Sequence, residues 1–131
     1  MIEQQQAMAV IVEACPSFSG AWEEHVREYG NDVLYVAAGS LASHLLSLHL
    51  ANETECFLAV GQAIERLHTE GSAWVKEFAT VGILEGVQNV WSNNGADPEH
   101  FHRYLGNESK IWWQSLNDFW SGKVLHVGRG V

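Results

Sequence analysis

The sequence predicts an all-α, single-domain protein, either a helical bundle or a short stack of antiparallel helical hairpins, with about six or seven helices. Apolar residues recur at helical spacing through almost the whole chain. Capping and helix-breaking residues divide it at short intervals. Its 131 residues suit one domain, which at this size buries about two thirds of its unfolded surface. We expect a helical domain over residues 1–122 and a C-terminal tail over residues 123–131.

The first two helices are marked by their ends. The first runs from about Ile2 to Ala14 and stops before Pro16, because the residue before a proline disfavours helical dihedrals. The second follows "CPSFSGAW" and ends at Gly30, a plausible C-cap. One apolar stripe is predicted on it: Phe18, Trp22, Val26 and Tyr29.

The third and fourth helices form the next predicted pair. The third carries a 4-3-4-3 pattern of apolar residues: Leu34, Ala38, Leu41, Leu45 and Leu48. It ends at Asn52, and the fourth begins near Glu53. One face of the fourth holds Cys56, Val60, Ala63 and Leu67. Gly71 closes it, and Ser72 caps the next helix.

The fifth helix, residues 72–93, changes character halfway along. At 100° per residue, one face starts with Trp74, Phe78 and Val81 and continues with Glu85, Gln88, Asn89 and Ser92. The apolar residues of the second half lie on the far side: Ile83, Val87, Val90 and Trp91. Small residues form a separate ridge: Ala79, Gly82 and Gly86. We expect a central helix that another helix approaches closely along this ridge.

Two helices complete the domain. Asp97 and Pro98 are an N-cap with proline at the first helical position, which predicts a short helix over residues 98–104. The last helix follows "GNESK" and presents a broad apolar face: Trp112, Trp113, Leu116, Phe119 and Trp120. The tail, "KVLHVGRGV", has no helical period. It is predicted to be a loose tail or a short extended segment.

The charge of the chain limits its partners. Sixteen acidic residues against seven Lys and Arg give a formal charge of −9. This balance opposes binding to nucleic acids and to anionic membranes, because both present negative charge. It favours solubility and fast capture of a basic partner protein.

The sequence also indicates a cytosolic protein. No segment approaches the ~20 apolar residues that a membrane span needs, and "MIEQQQAMAV" lacks the basic region of a secretory signal. The two cysteines, Cys15 and Cys56, make no disulfide framework. We expect both to be small core residues.

No motif predicts a catalytic site, a metal site or a cofactor. His44 and His49 diverge on a helix, as do His100 and His102. We therefore expect all seven histidines to be surface or cap-proximal residues. HExxH, CxxC, GxSxG, a P-loop and GxGxxG are all missing. We expect a protein that is not an enzyme.

The polar half of the fifth helix has two interpretations. Glu85 and Asn89 could be satisfied within a buried network, or they could open onto a groove and meet a ligand or partner. If Glu85 is buried away from cations, desolvation should raise its pKa.

Three stretches carry a family resemblance: "CPSFSGAWEEHVREYG" (15–30), "VGILEGVQNVW" (81–91) and "YLGNESKIWWQSLNDFW" (104–120). Together they resemble a family of small, all-helical bacterial proteins that look like immunity proteins of polymorphic-toxin loci, including contact-dependent growth inhibition systems. The resemblance spans roughly residues 10–121. It implies a cytosolic antidote that binds one cognate toxin domain, and it supplies no catalytic residues.

The function predicted from sequence is therefore stoichiometric occlusion of a toxin, a basic nuclease domain being the expected partner. The candidate contacts are Glu23, Glu24, Glu28, Asp32, Glu85, Gln88, Asn89 and Trp112. Two alternatives stay open. One is a helical adaptor or scaffold with an unrelated partner. The other is a small ligand-binding or enzymatic domain that uses a pocket around Glu85.

Overall fold

The computed structural model describes residues 1–123 and 125–128 and confirms the all-α, single-domain prediction. Within these ranges the chain forms seven helices and no sheet. They are α1 (Gln4–Ala14), α2 (Ser19–Tyr29), α3 (Leu34–Leu50), α4 (Phe57–Glu70), α5, α6 (Glu99–His102) and α7 (Asn107–Trp120). A 3₁₀ turn, Pro16–Phe18, leads into α2. Helix α5 has three consecutive segments: Ala73–Glu77, the π-helical Phe78–Leu84, and Glu85–Asn93.

Several helix ends lie where the capping residues predict them. The Ser72 hydroxyl accepts the amide of Val75 at 3.2 Å at the start of α5. The Asp97 carboxylate accepts the amide of Glu99 at 2.9 Å before α6. Gly30, with φ of 64°, ends α2. Because each residue satisfies backbone groups that a helix leaves unpaired, these ends could be predicted from sequence.

Two helices begin later than predicted. Ile2 pairs with the α4–α5 turn instead of starting α1: its amide donates to Glu70 and its carbonyl accepts from Ser72, both at 2.8 Å. Helix α4 begins at Phe57, not near Glu53. Non-helical residues separate it from Asn52, whose φ of 59° ends the preceding turn.

Helix α5 is the centre of the fold, as predicted. It packs against α1, α3, α4 and α7. Side-chain hydrogen bonds fix two of these contacts. The Trp91 indole donates to the Ala42 carbonyl in α3 at 3.1 Å, and the Gln88 amide donates to the Trp113 carbonyl in α7 at 3.3 Å.

The π-helical segment explains why α5 changes faces. A π turn closes i→i+5 hydrogen bonds and so holds more residues than an α turn. A wheel drawn at 100° per residue therefore loses register across residues 78–84. Gln88 is buried although the wheel groups it with Asn89, which is exposed. The predicted polar half-face is thus not one surface.

The apolar stripe predicted for α2 is only partly correct. Phe18 is buried and Trp22 is half-buried, but Val26 and Tyr29 are exposed. His25 occupies the buried position instead. The imidazole can be buried here because its ring stacks on neighbouring aromatic rings and one of its nitrogens is hydrogen-bonded to a backbone carbonyl.

The C-terminal tail is described at residues 123 and 125–128, where it forms no helix. The Gly128 amide donates to the Ser115 hydroxyl at 2.8 Å, and Val127 packs against the core. These residues are thus in contact with the domain. The other residues of the predicted tail, 124 and 129–131, lie outside the described ranges. Across the described chain, the helices are too short or too polar to cross a bilayer.

Two glycines of the helix interfaces should respond oppositely to alanine. A Cβ at Gly61 would overlap the Tyr104 carbonyl, whereas a Cβ at Gly86 would lie 3.7 Å from Ala38 and Ala42 in ordinary contact. We expect Gly61→Ala to reduce the free energy of unfolding by about 2 kcal/mol or more. Gly86→Ala should increase it by about 0.5–1 kcal/mol. Urea unfolding measures both, and similar values for the two variants would contradict the interface described.

Candidate functional site

The most distinctive surface is the α2–α3 corner, which we define as residues 22–36. Of the eleven exposed large hydrophobic residues in the described chain, five lie here. They are Val26, Tyr29, Val33, Tyr35 and Val36. Scattered apolar residues on a surface are ordinary, but a group within one turn and its two helices indicates an interaction surface.

His25 holds the corner together from inside. Its ring stacks on Trp22 with centroids 5.4 Å apart and contacts the Tyr29 ring at 5.0 Å. Its Nε2 lies 3.0 Å from the carbonyl oxygen of Asp32. A carbonyl only accepts, so Nε2 carries the proton and donates. This bond ties the helix to the turn and fixes the Tyr29 ring at the surface.

The turn at the corner contains a strained residue. Val33 has φ 47° and ψ 46°, in the left-handed region, and its side chain is 50% exposed. A β-branched residue is a genuine outlier there, at a cost of about 1–3 kcal/mol. Exposure means that core packing does not repay this cost. Strain of this kind is concentrated at functional sites.

Four predicted contact residues belong to the same corner: Glu23, Glu24, Glu28 and Asp32. All are exposed. The ion pairs found within the described ranges lie elsewhere, namely Arg66–Glu70, His102–Glu99 and Lys123–Asp118. The corner therefore combines exposed apolar side chains with carboxylates that no ion pair among residues 1–123 and 125–128 neutralises.

Glu85 lies outside this corner, on α5. It is half-buried. Burial raises the pKa of its carboxyl group, and a hydrogen bond with the Trp120 side chain opposes part of that rise. The direction agrees with the sequence-based expectation. Glu85 is neither sealed in the core nor fully open to solvent.

The remaining predicted contacts on α5 separate. Gln88 is buried, and its amide nitrogen donates to the Trp113 carbonyl and to Asn117, both at 3.3 Å. Its prediction as a partner contact is therefore wrong: it joins α5 to α7. Asn89 is exposed. Glu85, Gln88 and Asn89 thus do not form one contact surface.

Trp112 and Trp113 point in different directions, as two adjacent helical residues must. Trp113 is fully buried, whereas Trp112 is half-buried and lines a groove of about 440 Å³ beside the π-helical segment. The other residues lining the groove are Ala73, Lys76, Glu77, Thr80, Val81 and Val127. Glu85 does not line this groove, so the groove is not the pocket around Glu85 that the sequence suggested.

A buried chain of hydrogen bonds joins α4, α5 and α7. His68 lies 2.8 Å from the Ser109 hydroxyl through Nδ1 and 2.9 Å from the Thr80 hydroxyl through Nε2. The Ser109 hydroxyl donates to Glu65 at 2.8 Å, because an ionised carboxylate only accepts. Nδ1–H must then donate to Ser109, and Nε2 accepts the Thr80 proton. The donor and the acceptor of each hydrogen bond in this network are therefore determined.

Glu65 anchors this chain at the first turn of α7. It accepts the amides of Glu108 and Ser109 at 3.0 and 2.9 Å, where the helix dipole also favours negative charge. Partial burial alone raises the pKa of Glu65, but the hydrogen bonds from Ser109 and Glu108 outweigh it, and the net pKa is lowered.

Glu65, Ser109 and His68 resemble a catalytic triad in composition only, because Ser109, and not His68, is hydrogen-bonded to the carboxylate. Ser109 is fully buried and His68 is 4% exposed. Burial lowers the pKa of His68 to about 4, despite the opposing charge of Glu65. With no exposed nucleophile, the arrangement serves to hold three helices together.

The histidines correct one sequence-based expectation. His25 and His68 are buried, although all seven were expected at surfaces or caps. Hydropathy treats histidine as polar, and the partners that satisfy these rings are long-range except within α2. Among the described residues, no cluster of three or more His, Cys, Asp or Glu side chains could hold a metal ion.

Comparison with known proteins identifies a family whose function is unknown. The family described as a domain of unknown function, DUF7674, matches residues 8–121, which is most of the chain. No curated protein and no solved structure is significantly similar to it.

The buried histidine His68 predicts that the stability of the protein depends on pH. Because its pKa is about 4 in the fold and about 6.5 in the unfolded chain, the unfolded state takes up the proton first as pH falls. The stability present above pH 6.5 is thus lost towards pH 4, by up to about 3 kcal/mol. In His68→Gln, which keeps a donor and an acceptor, this loss should disappear. Urea unfolding at pH 7 and pH 4.5 measures this loss. If the free energy of unfolding fell equally between the two pH values in the wild-type protein and in His68→Gln, the assignment would be contradicted.

Relief of the strained turn gives a second prediction. Asparagine tolerates the left-handed region better than valine, so Val33→Asn should increase the free energy of unfolding by about 1 kcal/mol. Val36→Asn, an exposed control three residues along, should not stabilise. Thermal unfolding measures both, and a destabilised Val33→Asn would show that the turn is not strained.

Proposed function

This chain belongs to the DUF7674 family, a domain family of unknown function, and we propose that it is an immunity protein that binds and neutralises a cognate toxin domain. It acts by stoichiometric occlusion and has no catalytic role of its own. The family match names no activity, so support comes from the surface and from the sequence resemblance described above.

The observation that carries the proposal is the composition of the α2–α3 corner. Protein interfaces combine aromatic and apolar anchors at the centre with a polar rim. Tyr29, Tyr35 and the valines at 26, 33 and 36 supply the anchors, and Glu23, Glu24, Glu28 and Asp32 supply a charged rim. The corner is also pre-organised by the His25 contacts, which lowers the entropy lost on binding.

The charge of the corner defines the chemistry of the partner. These carboxylates have no ion-pair partner in the part of the chain that the structure describes, and the net charge of the chain is −9. They attract a basic surface and speed encounter with it. Toxin nucleases are basic around their active sites because they bind phosphates. A nuclease domain is therefore the proposed target, and occupation of its cationic cleft excludes nucleic acid.

The α2–α3 corner alone is too small to form a stable protein–protein interface. Specific complexes bury about 800 Å² per partner through about 20–30 residues on each side. Exposed serines at positions 40, 43 and 47 continue the outer face of α3 beyond Val36. We include this face in the proposed contact. The serines can donate hydrogen bonds without adding charge of the wrong sign.

The proposed site of action is the cytosol, where a toxin nuclease meets its substrate. The absence of a helix able to cross the bilayer among the described residues is compatible with this location. Both described cysteines are free, as reducing compartments favour.

A helical adaptor with an unrelated partner would use the same corner, so the two hypotheses differ in partner and consequence. A ligand-binding domain would instead use the groove lined by Lys76, Thr80 and Trp112. Substitutions in the corner should therefore weaken binding of a toxin or of another protein partner, and they should leave binding of a small ligand in the groove unchanged.

The proposal predicts that a toxin gene precedes the gene of this protein, and the direct test is co-expression with the C-terminal domain of that toxin. We expect the protein to restore growth and to form a 1:1 complex with that domain. Loss of growth together with no complex would reject the immunity proposal. A complex that leaves the toxin active would support an adaptor instead.

Charge reversal tests the binding surface. Glu23→Lys plus Glu28→Lys should slow association with the toxin domain by about tenfold at low salt and should flatten its salt dependence. Glu53→Lys plus Glu55→Lys is the matched control, because these exposed acids follow the opposite end of α3. Stopped-flow mixing over a series of ionic strengths measures both. Unchanged kinetics for the corner variant would place the contact elsewhere.

A further inference from the structure

The two cysteines meet although they are far apart in sequence. Cys15 ends α1 and Cys56 immediately precedes α4. Their sulfur atoms lie 3.4 Å apart. A disulfide needs about 2.05 Å, so the two sulfur atoms must approach by about 1.4 Å before a bond can form. Cys15 is fully buried, whereas Cys56 is half-buried and lies nearer to solvent.

A chain of polar groups continues from Cys15 to the surface. The Cys15 sulfur contacts the Ser17 hydroxyl at 3.6 Å, and that hydroxyl lies 2.7 Å from Nε2 of His44. Burial lowers the pKa of His44, so its ring is neutral near pH 7 and Nε2 can accept the Ser17 proton. Ser17 then accepts from Cys15, and a proton can leave Cys15 towards the half-exposed imidazole.

The position of the pair gives it a mechanical consequence. Residues 15 and 56 bracket α2, α3 and the whole α2–α3 corner. A covalent bond between them closes this segment into a loop at its base. Such a link restricts the unfolded chain and holds both ends of the segment in place.

We propose that Cys15 and Cys56 are a modification site, at which a peroxide converts the two thiols into a reversible intramolecular disulfide that staples the base of the α2–α3 segment. The proposal does not depend on the toxin partner, and its test needs only the isolated protein.

The reaction balances with hydrogen peroxide as oxidant. The Cys56 sulfur attacks one peroxide oxygen and the O–O bond breaks. The departing hydroxide takes up the thiol proton as water, which leaves a sulfenic acid. The Cys15 sulfur then attacks the Cys56 sulfur, and its proton, passed through Ser17 and His44, leaves with the displaced hydroxide as a second water. Two sulfurs lose two electrons, and the peroxide gains them.

The same environment makes the pair slow to react. Burial, followed by the hydrogen bond with Cys15, raises the pKa of Cys56 to about 12. The thiolate is the nucleophile in these reactions, so a thiol that keeps its proton reacts slowly. We expect the disulfide to form under sustained peroxide exposure and more slowly than glutathione oxidises.

The test follows the thiols of the wild-type protein. Reduced protein is incubated with hydrogen peroxide, quenched with N-ethylmaleimide and digested with trypsin, which cleaves after Arg27 and Arg66. We expect peptides 1–27 and 28–66 to be joined, with a mass about 2 Da below their sum. The chain should migrate as a monomer and show a Tm several degrees higher, and dithiothreitol should reverse both the link and the shift.

Three outcomes would each overturn the proposal: two alkylated thiols after long exposure, sulfinic acids without a link, or disulfide-linked dimers.

Variants separate the two sulfurs and the relay. Cys15→Ala should leave a Cys56 sulfenic acid that dimedone traps, and Cys56→Ala should leave Cys15 unmodified because it is fully buried. Ser17→Ala should slow disulfide formation several-fold and lengthen the life of the trapped intermediate. Ser92→Ala, at an exposed serine on α5, is the matched control. Equal rates for the two serine variants would remove the relay from the proposal.

Discussion

The hydrogen-bond chain from Glu65 through Ser109 and His68 to Thr80 is the contact on which the arrangement of the helices depends. It joins α4, the π-helical segment of α5 and the first turn of α7. The carboxylate sets the direction of every proton in it, which keeps His68 neutral and fully paired. A buried polar chain of this kind specifies one arrangement, because any slip of a helix leaves a buried group unsatisfied. The rigid body that results is what allows a strained corner to persist on its surface.

Much of the fold could be predicted from local sequence. Pro16, Ser72 and the Asp97–Pro98 pair mark helix ends because their effects involve backbone groups only a few residues away. The π-helical segment was not predicted, although the change of faces in α5 was its signal. A wheel with constant rotation cannot represent a change in residues per turn. The buried positions of His68 and Gln88 were also missed, since their partners Ser109 and Trp113 are distant in sequence.

The candidate site was less predictable than the fold. Its acids could be listed from sequence, because charged residues such as Glu24 are seldom buried without partners. Its apolar half could not, because helical spacing placed Val26 and Tyr29 inside. They lie outside because the His25 ring fills that position, held by stacking and by the Asp32 carbonyl. The left-handed conformation of Val33 has no sequence signal of its own. The proposed antidote function thus connects the charge of the chain with a surface that only the structure reveals.

Hydrogen–deuterium exchange of the protein alone and in complex with its proposed toxin partner can locate the binding surface. In the proposed complex, the α2–α3 corner fills a basic cleft on the partner. On binding, exchange should therefore slow in residues 22–36 and along the outer face of α3, and exchange beside the groove at residues 73–81 should not change. Protection confined to the groove or to α7, with residues 22–36 unaffected, would contradict it.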